Sequence, residues 1–446
     1  MLDKPVLFSK VLAYTFAFFF REWRRALGRT TDGWASKVSS KKPSDTRDRN
    51  IVIVGASFAG YQAARVLSMN LPPGTSFRVV VIEPNSHFQF TWVLPRFCVA
   101  KGHEHKAFIP YRQDLKELPE GALHWVQDRV VEVTKTHVKL QESGEEIPYE
   151  YLIVATGSAV KDGLPSRPNA ADKLEAMKKM QDMQNGIEKA TKIVIVGGGA
   201  AGVELATDAK SKYPDKTVIL VHSRAAPMHR FSKTLQDAAV EGINKLSIEL
   251  ILEDRVVSEE SGIVTLRSGK VIECDYFINC VGQKPASDIL KTLAPGAITE
   301  SGHIKVKPTL QIADDIFPNI YACGDVADTK TANPNGRSAN RQADVAADNV
   351  LLALRGKKPS YTFTNYWADG IIKLTLGIDK SVTYLSDGNK QLLWEAEEKD
   401  EALMAADCWR KFGATPFEDD YMPKDATPEA ATPETATPKA ADKEQV

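Results

Sequence analysis

The sequence predicts an α/β protein with two doubly wound, Rossmann-type dinucleotide-binding domains and a smaller α+β C-terminal domain. Three observations carry that expectation. Valine- and isoleucine-rich runs such as FRVVVIEP, YEYLIVATG, KTVILVHS and DYFINCVG are bounded by glycine and turn residues and alternate with helical segments such as YQAARVLSMN, the pattern of parallel strands with crossover helices. One strand–glycine turn–helix unit occurs twice, as IVIVGASFAGYQ over Ile51–Gln62 and IVIVGGGAAGVE over Ile193–Glu204. A chain of 446 residues, 43 % of them hydrophobic, has enough apolar surface for two or three buried cores.

From the N-terminus, VLFSKVLAYTFAFFFREWRR is an apolar, aromatic run ending in arginines. It is short for a membrane span, which needs roughly 20 apolar residues, and no small-residue cleavage site precedes its arginines, so residues 1–27 suit an interfacial anchor or a mitochondrial presequence. A helix packed on the protein's own body is the competing reading. Residues 28–49 are polar and aperiodic and read as a linker, so the folded body begins near Asn50. Its first α/β unit is discontinuous (50–160 and 286–357), its second spans 161–285, and a C-terminal domain (358–422) of alternating strands begins at YTFTNYWADG. Residues 423–446 repeat Ala-Thr-Pro with charges and no large apolar side chain, a composition that cannot bury enough surface to fold.

Composition narrows the function. With 57 basic against 58 acidic residues the net charge is −1, so no overall field draws nucleic acid and none is expected as a partner. Five cysteines (Cys98, Cys274, Cys280, Cys323, Cys408) form no C-x-x-C pair, which argues against a disulfide framework or a structural metal and for a reducing compartment. The His103-Glu104-His105 cluster reads as a polar loop, so no metal site is expected.

The repeated unit carries the chemistry. In the downstream copy Gly197, Gly199 and Gly202 satisfy G-x-G-x-x-G between strand and helix, where glycines permit the tight turn, the approach of a pyrophosphate and close helix packing, and the helix N-terminus faces the phosphates. The upstream copy has Gly55, Ser57 and Gly60, with a hydroxyl in place of the middle glycine. The strand after the first copy ends in Glu83, an acid placed for an adenosine ribose; the strand after the second ends in His222, with Arg224 beyond it. An acid repels a 2′-phosphate and arginine attracts one, so the first site suits FAD or NAD and the second suits NADPH at least as well as NADH.

The two copies together with YLIVATGSA, FINCVGQKP and IYACGDVAD resemble the two-dinucleotide flavoprotein family, the pyridine nucleotide-disulphide oxidoreductase-like proteins, over nearly the whole body. GGGAAGVELATD, TVILVHSR and KGHEHKAFIPY are most similar to its apoptosis-inducing-factor-like branch, which includes ferroptosis suppressor protein, in fungal form; type II NADH dehydrogenases are more distant. The resemblance implies that Gly55, Ser57, Gly60 and Glu83 hold the ADP half of FAD and that Thr156 and Gly157 form the crossing loop beside it. It implies further that Gly324 and Asp325 contact the flavin's ribityl chain, that Gly282 belongs to the cofactor-binding set, and that the helix beginning near Ser338 aims its N-terminus at the pyrimidine edge. Glu204 matches a catalytic acid near nicotinamide and flavin.

Departures also count. The C-x-x-x-x-C pair of the disulfide reductases is missing, Cys98 standing alone, and Met-Leu replaces the Met-Gly of a myristoylation signal. The implied activity is hydride transfer from NADPH or NADH to FAD and onward electron transfer to a quinone-type acceptor, with Phe88, Phe90 and Trp92 offered as an apolar slot. The alternatives are reduction of a ferredoxin-like protein and a redox-responsive signalling role. The C-terminal strands would complete the acceptor pocket or form a homodimer surface, and the N-terminus would contact a membrane surface. The expected location is membrane-associated and intracellular, the mitochondrion first and the cytoplasm or a lipid-droplet surface as alternatives.

Overall fold

A run of valine and isoleucine can be buried on both faces only at the centre of a sheet, and the strand β1 (Arg49–Val54) sits there, with five of its six residues buried. The computed structural model describes residues 3–38, 47–160, 165 and 167–421. Part of the expected linker (39–46), the body's expected end at Met422 and the Ala-Thr-Pro tail lie outside the described residues.

β1 is followed by the helix α2 (Phe58–Asn70) and pairs in parallel with β2 (Phe77–Ile82) on one side and β4 (Tyr151–Val154) on the other; β3 (Leu123–Val126) and β9 (Ile320–Ala322) extend the sheet to the order β9-β4-β1-β2-β3. The last strand therefore comes from far along the chain. The second sheet is built on the same plan: β5 (Lys192–Val196), followed by α3 (Ala200–Lys212), lies between β6 (Thr217–Val221) and β8 (Tyr276–Asn279), with β7 (Glu249–Ile251) beyond β6, all parallel. In each sheet the glycine turn leaves the carboxyl end of the strand from which neighbours run to both sides, where open α/β sheets receive ligands.

The helix α4 (Gly336–Leu354) packs along α2, and a three-stranded antiparallel sheet, β10 (Ile372–Thr375), β11 (Lys380–Ser386) and β12 (Gln391–Glu397), completes the body with the short helix α5 (Ala405–Lys411). The segment Tyr361–Tyr366, expected to be a strand, pairs with none. Asn349 answers its backbone instead, donating to Tyr361 O at 2.8 Å and accepting from Tyr361 N–H at 2.9 Å.

The N-terminal helix α1 runs over Asp3–Val38, so it takes in residues 28–38 of the stretch expected to be a linker. Once nucleated, a helix gains a hydrogen bond per added residue, and an aperiodic polar run lacks only a face to bury. Leu7, Val11, Tyr14, Phe18, Arg21 and Arg25 recur at spacings of three and four on the side facing the body, and Arg29 is bound to Asp348 of α4 at 2.7 Å. Among the described residues no helix is long and apolar enough to cross a membrane.

Candidate functional site

The first glycine turn is shaped by two collisions that side chains would cause. A Cβ on Gly55, whose φ is +92°, would lie 2.6 Å from Ala155 O, and one on Gly60 would lie 1.7 Å from Gly55 O. Only glycine lets α2 descend this closely onto β1. Ser57 is the N-cap of α2 but its hydroxyl makes no capping bond, which leaves it available to a ligand oxygen. Glu83 is buried behind the turn, where Ala56 N–H donates to one carboxylate oxygen and Asn85 N–H to the other at 2.9 Å. Burial raises its pKa, and those two backbone bonds pull it back.

The crossing loop is tied to the opposite connection. Thr156 Oγ1 donates to Ala286 O at 2.6 Å, Ala286 N–H donates to Gly157 O at 2.9 Å, and Gly157 takes a φ of +66°. Gly324 N–H donates to Gln342 Oε1 of α4 at 2.7 Å, which sets Asp325 beside the start of that helix. The Asp325 carboxyl is raised by burial, opposed by Arg167 at 3.5 Å and by His303. A cavity of about 910 Å³ opens here, lined among others by Arg230, Thr299, His303, Gly324, Asp325 and Gln342. α4 begins at Gly336, and the Asn335 side chain accepts from both Arg337 and Ser338 N–H, so a ligand at this end meets the helix field more than free donors. These features fit FAD: a turn open to pyrophosphate, an acid behind it, and a second acid facing a large polar cavity.

The second turn repeats the first. Gly197 takes a φ of +114°, with a Cβ that would meet Val281 at 2.7 Å; Gly202's would lie 1.9 Å from Gly197 O. Gly199 and Gly282 face open space. Where Glu83 accepts from Ala56 N–H, His222 Nδ1 accepts from Gly198 N–H at 3.0 Å. That bond places the remaining ring proton on Nε2, a buried atom without a partner among the described residues. Burial first, then the neighbouring His229 and Arg224, hold His222 down at about 4, so it is neutral at physiological pH. Arg224 is exposed.

Glu204 lies in the second turn of α3. Thr375 N–H of β10 donates to it at 3.3 Å, while burial, and next the charge of Asp208, push its carboxyl up to about 8. Asp208, one helical turn on, is fully buried and receives Arg96 Nε at 2.7 Å; burial carries it to about 6 against the pull of that guanidinium. Arg96 also donates to Ile378 O at 2.9 Å and Gly377 O at 3.0 Å, and Asp208 Oδ1 has no partner among the described residues. Sequence reading missed Arg96 and Asp208. The signal was a lone arginine inside the apolar run VLPRFCVA, a charge that needs a buried partner, and an acid four residues after Glu204.

The aromatic slot requires correction. Phe88 and Phe90 are core residues: Phe88 belongs to a short strand paired with Phe108–Pro110 and packs 4.3 Å from the Phe412 ring, leaving only Trp92, 39 % exposed, at the surface. The alternation is that of a buried strand. Burial also pushes Cys280 and Cys323 up to about 12 and Cys98 further, so these thiols stay protonated. Among the described residues no group of His, Cys, Asp and Glu is placed to hold a metal ion.

Comparison with known proteins follows the same lines. Residues 49–349 match the family model described as pyridine nucleotide-disulphide oxidoreductase. The chain is 32 % identical to Fe-regulated protein 8 of Mycosarcoma maydis over 82 % of its own length and 96 % of that protein's. It is 31 % identical to ferroptosis suppressor protein 1 of Xenopus tropicalis, over 69 % of this chain and 81 % of that one. Two solved structures share the fold: a sulfide:quinone oxidoreductase from Aquifex aeolicus (TM-score 0.64, 15 % identity, 81 % of this chain and 90 % of that one) and an engineered water-forming NADPH oxidase bound to NADPH (TM-score 0.60, 18 % identity, 75 % of each chain).

Proposed function

The chain belongs to the pyridine nucleotide-disulphide oxidoreductase family, and on that premise we propose that it is a membrane-associated NAD(P)H:quinone oxidoreductase that favours NADPH. It is an oxidoreductase whose cofactors are FAD and a nicotinamide nucleotide. The observation that carries the reading is the pair of like glycine turns on one body, with the half-buried acid Glu204 in the helix of the second.

The flavin, when bound, accepts hydride and releases electrons. The chain's own residues do the rest. Gly55, Gly60 and the Ser57 hydroxyl would admit and contact the FAD pyrophosphate at the start of α2, Glu83 would take the adenosine ribose and Asp325 the ribityl chain. The start of α4 would lie by the pyrimidine edge, where its field suits negative charge. Gly197, Gly199 and Gly202 receive the donor's pyrophosphate. Glu204 holds a proton in water-poor surroundings until pH approaches about 8. Quinone reduction consumes two electrons and two protons, so an acid that is protonated at neutral pH suits that acceptor.

His222 and Arg224 support the preference for NADPH. In the engineered NADPH oxidase an aspartate is replaced by alanine, and arginines are introduced one and seven residues beyond it. Counted the same way from His222, those places hold Ser223 and His229, with Arg224 one residue further. The name of the Aquifex neighbour includes quinone, which supports the acceptor class.

Membrane contact is supported by the outer side of α1, where Phe8, Leu12, Phe16, Phe19, Trp23 and Leu27 are between 40 % and 75 % exposed in one stripe. An aromatic stripe on a helix too polar to span fits burial in the headgroup boundary. We infer the mitochondrial membrane as the first location, with the C-terminal strands, where Trp394 of β12 is exposed, completing the acceptor pocket or forming a homodimer surface. One titration tests the enzyme: NADPH should bleach the flavin of the purified protein, and a short-chain ubiquinone should restore the colour. Absence of bleaching overturns the reading, and recolouring by ferredoxin but not quinone overturns the acceptor.

A further inference from the structure

Two carboxyls on α3 have one guanidinium beside them. Glu204 and Asp208 are four residues apart, so they leave the same face of the helix one turn from each other. Asp208 is fully buried and takes Arg96 Nε on Oδ2 at 2.7 Å, while its Oδ1 has no partner among the described residues. The other nitrogens of Arg96 donate to Ile378 O at 2.9 Å and Gly377 O at 3.0 Å, which commits the guanidinium to Asp208 and to backbone. Glu204 is half-buried and receives Thr375 N–H at 3.3 Å. Thr207, buried on the same turn, donates its hydroxyl proton to Val203 O at 2.9 Å and Glu204 O at 3.1 Å, so that proton solvates neither carboxyl.

The charges do not balance while both acids are ionised. Besides Arg96, the charged group among the described residues whose field reaches the pair is Glu401, of the same sign as the acids, and Lys373 of β10 is engaged by Glu398 at 2.7 Å. Burial first, then Asp208, raises Glu204, and burial raises Asp208 against the pull of Arg96. Two carboxylates with one cation between them in water-poor surroundings shed the excess charge at least cost by binding one proton, and the bare Oδ1 adds to the cost of keeping both ionised. A pair coupled in this way titrates as a unit.

We propose that Glu204 and Asp208 hold a single proton between them against Arg96, with Glu204 passing it towards the acceptor and Asp208 acting as the positioning residue that keeps it on Glu204. The inference rests on Glu204 being the acid of the proposed reaction. Turning a quinone into a quinol takes two electrons and two protons. The donor's hydride carries both electrons and one hydrogen nucleus, the oxidised nicotinamide departs, and the second proton is drawn from the pair and replaced from water. Glu204 serves while protonated, so its contribution is present below its pKa and lost as pH rises through it.

The test uses the full-chain flavoprotein and two readouts: the pH profile of quinone reduction, and the infrared band of buried protonated carboxyls in the oxidised protein without donor. Asp208→Asn, whose amide oxygen still accepts from Arg96, should move the fall in rate down by about one pH unit or more and weaken the band at pH 7, and Asp208→Glu should return both. Glu204→Gln should take one carboxyl out of the same band, because Asp208 alone beside Arg96 ionises, and that readout stands even where the Asn variant fails to fold. If Glu204→Gln flattens the pH profile but keeps the band, or if Asp208→Asn leaves profile and band in place, the proposal fails and the acid reading stands. If Glu204→Gln alters neither the rate nor its pH profile, the acid reading fails and takes the proposal with it.

Discussion

The two glycine turns have the same backbone and opposite chemistry. Each begins with a glycine of strongly positive φ, each brings its helix within 2 Å of that glycine's carbonyl as measured from an added Cβ, and each offers the N–H of its second residue to the side chain ending the next strand. In the first that side chain is the acid Glu83; in the second it is the neutral ring of His222. One architectural position therefore serves two purposes. It braces the turn from behind in both, and under the proposed function its charge would set which ribose, bare or phosphorylated, is tolerated in front.

Five substitutions would break or sharpen that comparison. The largest effects belong to the helix glycines. Gly60→Ala should abolish flavin retention, whereas Gly202→Ala should leave the flavin in place and weaken nicotinamide binding by 100-fold or more, on the order expected for overpacking backbone against backbone; flavin absorbance per chain and donor titration read the two separately. A similar loss in both variants would mean that the turns are not independent sites.

Next comes the acid in the second helix. Glu204→Gln should slow quinone reduction by about 100-fold and remove the fall in rate expected as pH rises through about 8. The same change acts on stability. The folded-state pKa lies above the unfolded one, so the native protein holds a proton that the unfolded chain has released, and stability declines from about pH 4.5 to about 8 by at most about 1.4 kcal/mol per unit. Melting temperatures of the Gln variant should decline less across that window; an unchanged slope would remove Glu204 from the account.

Smaller effects test the side chains behind and within the turns. His222→Glu, which copies the first turn onto the second, should weaken NADPH by about 10- to 100-fold and leave NADH within a few-fold, as read from the two Michaelis constants. Ser57→Gly, which copies the second turn onto the first, should change FAD affinity by no more than a few-fold, by equilibrium dialysis of the apoprotein. A large loss there would make the hydroxyl essential to phosphate binding.

Much of this was legible because local rules and tertiary structure agree. Ile51–Val54 of β1 and Ile193–Ile195 of β5 are buried on both sides, so those runs are apolar, and Gly60 and Gly202 stand where no side chain fits. What was not legible depended on distant partners. Phe88 and Phe90 alternate whether they face a ligand or Phe412, Tyr361 looks like a strand residue until Asn349 captures its backbone, and nothing local to Asp208 announces Arg96. The extension of α1 to Val38 escaped for another reason: aperiodicity reports on the pattern of side chains, whereas backbone hydrogen bonds carry a helix onward once it is nucleated.

The guanidinium of Arg96 has a kinetic meaning as well. It projects from the short helix Leu94–Phe97, ends on an aspartate of the second turn's helix, and holds two carbonyls of the β10–β11 connection. Swinging those three pieces apart would strand a buried charge, at a cost of about 3–5 kcal/mol, so fewer than about one molecule in a hundred is open at any instant. If the second turn receives the donor, the nucleotide would enter and leave with these three pieces still tied together.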